Sequence, residues 1–67
     1  MTTIILNGDS KQLADTTTVA QLLAELAMGE KRVAVELNQE IVPRSEHEKV
    51  TLKEGDQVEV VQAIGGG

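Results

Sequence analysis

The chain contains a single run of helical period, and that run limits the folds open to it. Val19, Leu22, Leu23, Leu26 and Ala27 fall at i, i+3, i+4, i+7 and i+8, one apolar stripe along one helix. Thr18 followed by Gln21 fits a capping box, in which the two side chains satisfy the orphan N–H groups of the first turn. Gly29 suits a left-handed exit, so the helix is expected from Val19 to Met28. A helix with one stripe can cover one face of one sheet, and the remaining apolar residues must supply that sheet.

They alternate as strands do. Thr3-Ile4-Ile5-Leu6 runs into Asn7-Gly8, the strongest short signal for a tight hairpin, so a second strand around Lys11 to Leu13 should pair back antiparallel. Beyond the helix, Arg32 to Leu37 reads as a strand with Val33, Val35 and Leu37 on one face and Arg32, Ala34 and Glu36 on the other. Asn38-Gln39 turns the chain into a short strand, Glu40-Ile41-Val42, which Pro43 ends because proline lacks the ladder donor. Arg44 to Lys49 reads as a polar surface loop. After Val50 and Leu52, the turn Lys53-Glu54-Gly55-Asp56 leads into Gln57 to Val61, with Val58 and Val60 inward and Glu59 outward. The order strand, strand, helix, strand, short strand, strand is that of an α+β protein of the β-grasp, ubiquitin-like kind: a mixed four- to five-stranded sheet packed by one main helix. The long helical connection lets the strands on either side of it run parallel. Residues 1–64 are expected to form this domain and residues 65–67 a flexible C-terminal glycine tail.

Sixty-seven residues leave little room for an enclosed cleft, and with no aromatic residue the core must be aliphatic. The absence of cysteine removes disulfides, thiolate metal sites and a cysteine nucleophile together. The single histidine, His47, lies between Glu46 and Glu48 in the polar loop and is expected to be solvated; adjacent residues point in different directions, and no spacing matches a metal site. No catalytic residue, metal ligand or bound cofactor is expected. A net charge of −5 opposes binding to nucleic acid and anionic lipid and favours a partner with a basic docking surface. No apolar run reaches the length of a membrane span, which leaves a cytoplasmic protein as the expectation.

The distinctive chemistry is at Gly65-Gly66-Gly67. A phosphate loop must lead into a helix, and nothing in this sequence follows Gly67. Three glycines instead make an arm without side chains, reaching about 10 Å when extended, able to enter a tunnel too narrow for any Cβ. Gly65 and Gly66 supply access, and Gly67 presents a carboxylate that an activating enzyme can adenylate. The bland alternative is a frayed end. Against it stands the position of the glycines, directly after a strand and without a polar spacer. Val61 and Ala63 fall on the face opposite Val58 and Val60, with Ile64 beside the tail, and make a candidate partner-binding patch. The competing reading is ordinary scattered exposure, with Ile64 in the core.

In the Asn7-Gly8 turn, the helix start Thr18-Val19-Ala20-Gln21-Leu22-Leu23, the stretch Leu37-Asn38-Gln39-Glu40-Ile41-Val42-Pro43-Arg44, Glu54-Gly55-Asp56-Gln57-Val58 and the terminal glycines, the chain resembles the ThiS family of ubiquitin-like sulfur carriers in thiamine biosynthesis. The resemblance covers nearly the whole chain. It implies that a ThiF-like adenylating enzyme activates Gly67 with ATP and magnesium, that sulfur originating from a cysteine desulfurase converts it to a thiocarboxylate, and that a ThiG-like thiazole synthase receives the sulfur. Such a protein is a carrier and co-substrate, not an enzyme. A MoaD-like carrier for molybdopterin and a ubiquitin-like protein modifier share the Gly-Asp turn and Gly-Gly ending and remain alternatives. Family members typically end in two glycines; Gly65 lengthens the arm here.

Overall fold

The computed structural model describes residues 1–28 and 32–62. Five strands and one helix follow in the expected order: β1 (Thr2–Leu6), β2 (Asp9–Leu13), α1 (Val19–Glu25), β3 (Val33–Leu37), β4 (Glu40–Val42) and β5 (Gln57–Gln62). They form one mixed sheet in the order β2-β1-β5-β3-β4, the β-grasp arrangement. The last strand lies at the centre. It runs parallel to β1, at Ile5 opposite Gln57 and Leu6 opposite Val58, and antiparallel to β3 along its whole length. The strands flanking the helix in sequence, β2 and β3, do run parallel but are not neighbours; the parallel ladder is between β1 and β5.

Both hairpins turn on two residues with left-handed backbone, Asn7 and Gly8 at φ 49° and 88°, and Asn38 and Gln39 at 51° and 72°. Two successive positive φ values match the twist of antiparallel strands, and asparagine tolerates that region better than other residues with a Cβ. The first hairpin takes in Asp9 and Ser10 as strand, two residues more than the polar sequence there suggested.

The apolar faces meet in one aliphatic core. Ile4, Val35, Val58 and Val60 from the sheet pack with Val19, Leu22 and Leu23 from α1 and Leu52 from the long connection. The helix begins at the expected capping box, with Thr18 Oγ1 accepting from Gln21 N–H at 3.1 Å and Gln21 Oε1 accepting from Thr18 N–H at 2.9 Å. It ends earlier than Met28. Ala27 takes up the left-handed conformation at φ 59°, its N–H reaching Ala24 O at 3.1 Å while Met28 N–H reaches Leu23 O at 2.8 Å. These two bonds close a Schellman motif one turn after Leu23, so the exit is at Ala27. Gly29, expected in that role, lies outside the described residues.

The stretch after Pro43 departs most from expectation. It is not merely a polar surface loop: Arg44–Glu46 form a 3₁₀ turn, and the chain then crosses the start of α1. Val19 N–H donates to Val50 O at 3.0 Å and Ala20 N–H to His47 O at 2.8 Å, satisfying helix donors that the capping box does not reach. His47 is correspondingly buried rather than solvated, at 8% exposure, with Nε2 3.1 Å from Val42 O. Backbone satisfaction of a distant helix end has no signature in a polar hexapeptide, and that is why sequence reading missed it.

Candidate functional site

A central strand that ends at the chain's glycines needs both of its edges held, because β1 pairs with it only as far as Val58. Two turn asparagines supply the missing bonds. On the β1 side, Asn7 N–H donates to Val58 O at 2.9 Å, Asn7 Oδ1 accepts from Val60 N–H at 2.8 Å, and Nδ2 donates to Val60 O at 3.3 Å. The side-chain amide thus continues the ladder past the point where the β1 backbone turns away. On the β3 side, Asn38 Oδ1 accepts from Gln57 N–H at 2.9 Å, Asn38 N–H donates to Gln57 O at 2.7 Å, and Nδ2 donates to Asp56 Oδ1 at 3.1 Å. Asp56 Oδ2 in turn accepts from Lys53 N–H at 2.8 Å, closing the turn before β5 around Gly55 at φ 83°. The two distinctive stretches around Asn38 and Asp56 therefore meet in space to seat one strand. Both asparagines were read in sequence only as turn residues; an asparagine at the first position of each hairpin was the available signal.

Beyond these clamps β5 carries Val61 and Gln62. Val61 lies on the face of the sheet away from the helix, paired with Ala34 and 61% exposed, as alternation predicted. An open groove of about 710 Å³ runs along this strand from Ile5, Asn7 and Gly8 to Val61 and Gln62. The other expected site residues, Ala63 and Ile64 of the patch and Gly65, Gly66 and Gly67 of the tail, lie outside the described residues. Among the described residues no group of histidines and carboxylates is placed to hold a metal ion, and no helix is long and apolar enough to cross a membrane. The one carboxyl with a perturbed titration, Asp15, is held below its ordinary range first by a hydrogen bond from Thr2 Oγ1 and then by the N-terminal ammonium. Since β1 and β5 are parallel, that cluster is at the end of the sheet opposite the exit of β5. Its role is structural.

Comparison with known proteins accords with this geometry. Residues 4–67 match the model of the ThiS family. The chain is 41% identical over 63 residues to the sulfur carrier protein ThiS of Bacillus subtilis (strain 168), covering 92% of this chain and 96% of that one. It is also 42% identical over 64 residues to a thiazole synthase of Paramagnetospirillum magneticum, covering 96% of this chain; the chain spans 20% of that protein's length. Among solved structures, the crystal structure of a thiamine biosynthesis protein (ThiS) from Geobacter metallireducens superposes with a TM-score of 0.83 at 34% identity, covering 97% of this chain and 99% of that one.

Proposed function

The chain belongs to the ThiS family, and from that premise we propose that it is a sulfur carrier of thiamine biosynthesis, with the Gly67 carboxyl group as the point of sulfur attachment. The observation that carries this reading is the similarity to a sulfur carrier across nearly the full length of both chains. The fold supports it. A carrier without catalytic side chains has one task, to present a terminus rigidly at its root and without bulk at its tip; β5 is seated from both sides by Asn7 and Asn38, and the three glycines follow two residues after it.

In the reaction proposed, a Gly67 carboxylate oxygen attacks the α-phosphorus of ATP on a ThiF-like adenylating enzyme, and pyrophosphate departs. ATP and magnesium belong to that enzyme, whose site supplies positioning and charge neutralisation. The terminal sulfur of a persulfide, formed with sulfur from a cysteine desulfurase, then attacks the acyl carbon and AMP leaves. A thiol cleaves the resulting acyl disulfide, leaving the Gly67 thiocarboxylate and a disulfide. A ThiG-like thiazole synthase takes the sulfur into the thiazole ring, oxygen replaces it on the acyl carbon, and the carboxylate returns. The thiazole synthase relative supports that acceptor over one that makes molybdopterin, because a segment of that protein is similar to this chain. Gly65 and Gly66 admit the tail to each active site, and Val61, Ala63 and Ile64 form the adjoining contact.

The test is intact-protein mass spectrometry after incubation with ATP, magnesium, the adenylating enzyme and a sulfur source. Exchange of one oxygen for sulfur, located to Gly67 by fragmentation, is the expected result; no exchange with an enzyme of verified activity overturns the proposal. Productive transfer to molybdopterin synthase but not to thiazole synthase would overturn the thiamine assignment alone.

A further inference from the structure

Three of the four large aliphatic side chains exposed among the described residues, Ile5, Ile41 and Val61, sit on the uncovered face of the sheet, and two carboxylates stand among them. Glu36 on β3 is directly opposite Glu59 on β5, and its other cross-strand neighbour is Ile41 on β4. Like charges directly opposed across a ladder destabilise the sheet, and here they do so in a protein that already carries a net charge of −5. Among the described residues neither carboxylate forms a salt bridge. The fold therefore bears an electrostatic cost in the middle of its most apolar exposed surface, without an internal partner to relieve it. Glu59 also borders the groove that follows β5 toward residue 63.

We propose that this face is the docking surface for the partner enzymes and that Glu36 and Glu59 together receive one arginine or lysine side chain of the partner. A cation placed between them removes their repulsion, so part of the cost borne by the free carrier returns as binding energy. An arginine suits the pair better than a lysine, because its planar guanidinium can donate to both carboxylates at once. The occupant is a protein surface: the aliphatic side chains around the pair remain in water beside a bound metal ion but are covered by a protein face. Such a partner, lying along β5, is aligned with the strand that leads to the tail. The identity of the partners rests on the carrier reading above; the charge pairing is a separate claim.

The full-length chain and its Glu36→Gln, Glu59→Gln and double variants test it, with three readings: melting temperature, affinity for the adenylating enzyme by calorimetry, and the KM and kcat of thiocarboxylate formation. In the double variant, affinity is expected to fall and KM to rise roughly tenfold, with kcat nearly unchanged and most of the salt dependence gone. Melting temperature is expected to rise, because the repulsion is relieved. Weaker docking by a more stable protein is a result that structural damage cannot produce. Equal affinity and KM in the wild type and the double variant would overturn the proposal, as would a fall in melting temperature. Calorimetry judges docking whether or not thiocarboxylate forms, whereas a bound wild type that never acquires sulfur would sink the carrier reading instead.

Discussion

The side-chain amide of Asn7 brackets the backbone of Val60, accepting from its N–H at 2.8 Å and donating to its carbonyl at 3.3 Å. A hairpin-turn residue thereby does for the central strand what a longer β1 would have done. Asn7→Gly keeps the left-handed turn and removes both bonds. It is expected to cost about 1–2 kcal/mol and to speed amide exchange at Val60, measured by denaturant unfolding and hydrogen exchange. Asn7→Asp retains the acceptor and should protect the Val60 amide better than glycine does. Equal exchange in all three proteins would show that the bracket holds nothing.

The helix exit makes a stabilising substitution available. Ala27 sits at φ 59°, where a Cβ is crowded and glycine is not. Ala27→Gly should gain about 0.5–1 kcal/mol, because the left-handed strain exceeds the extra chain entropy glycine loses. In a domain of this size the melting temperature rises by a few degrees. A lower melting temperature would refute the assignment of the cap.

His47 is a structural residue, buried against Val42 O and offering its own carbonyl to the start of α1. His47→Ala leaves that acceptor short of its partner and opens space beneath the turn. A loss of about 1–3 kcal/mol is expected in chemical denaturation. Thiocarboxylate formation per folded molecule should be unchanged, and an activity loss beyond the folded fraction would give the histidine a second role.

Acid titration should show Asp15 ionising at lower pH than an ordinary aspartate, because the Thr2 hydroxyl and then the N-terminal ammonium favour its charged form. A depressed folded-state pKa means that the stabilisation is present above the unfolded value and is lost as pH falls through the folded one. NMR titration of the Asp15 carboxyl in the wild type and in Thr2→Val measures it. The variant should titrate higher, with the N-terminal contribution still in place, and salt should narrow the difference since the group is exposed. An unchanged titration curve would remove Thr2 as the cause.

The tail predicts loss of function without loss of stability. Gly66→Val adds a branched Cβ to an arm proposed to enter a narrow passage, so the yield of Gly67 thiocarboxylate should fall at least about tenfold while the melting temperature stays level. Full yield from the valine variant would show that the passage is wide and that the glycines serve some other purpose.

By itself the sequence determined the local elements and their faces. The stripe from Val19 to Leu26 could be buried only as a helix, alternation placed Val58 and Val60 inward and Val61 outward, and Asn7-Gly8 and Asn38-Gln39 were turns because few other residues accept that backbone. These outcomes depend on period and on φ, both set within a few residues. What only the tertiary structure decided depends on partners distant in the chain. β5 took the centre of the sheet; Asn7 found Val60, Asn38 found Asp56 and Gln57; and the segment after Pro43 gave its carbonyls to a helix more than twenty residues earlier. Hydrogen-bond donors must be satisfied wherever the chain folds back upon them, and a sequence records that requirement without naming the residue that will meet it. The opposition of Glu36 and Glu59 is of the same kind, two ordinary glutamates until the register of β3 against β5 set them face to face.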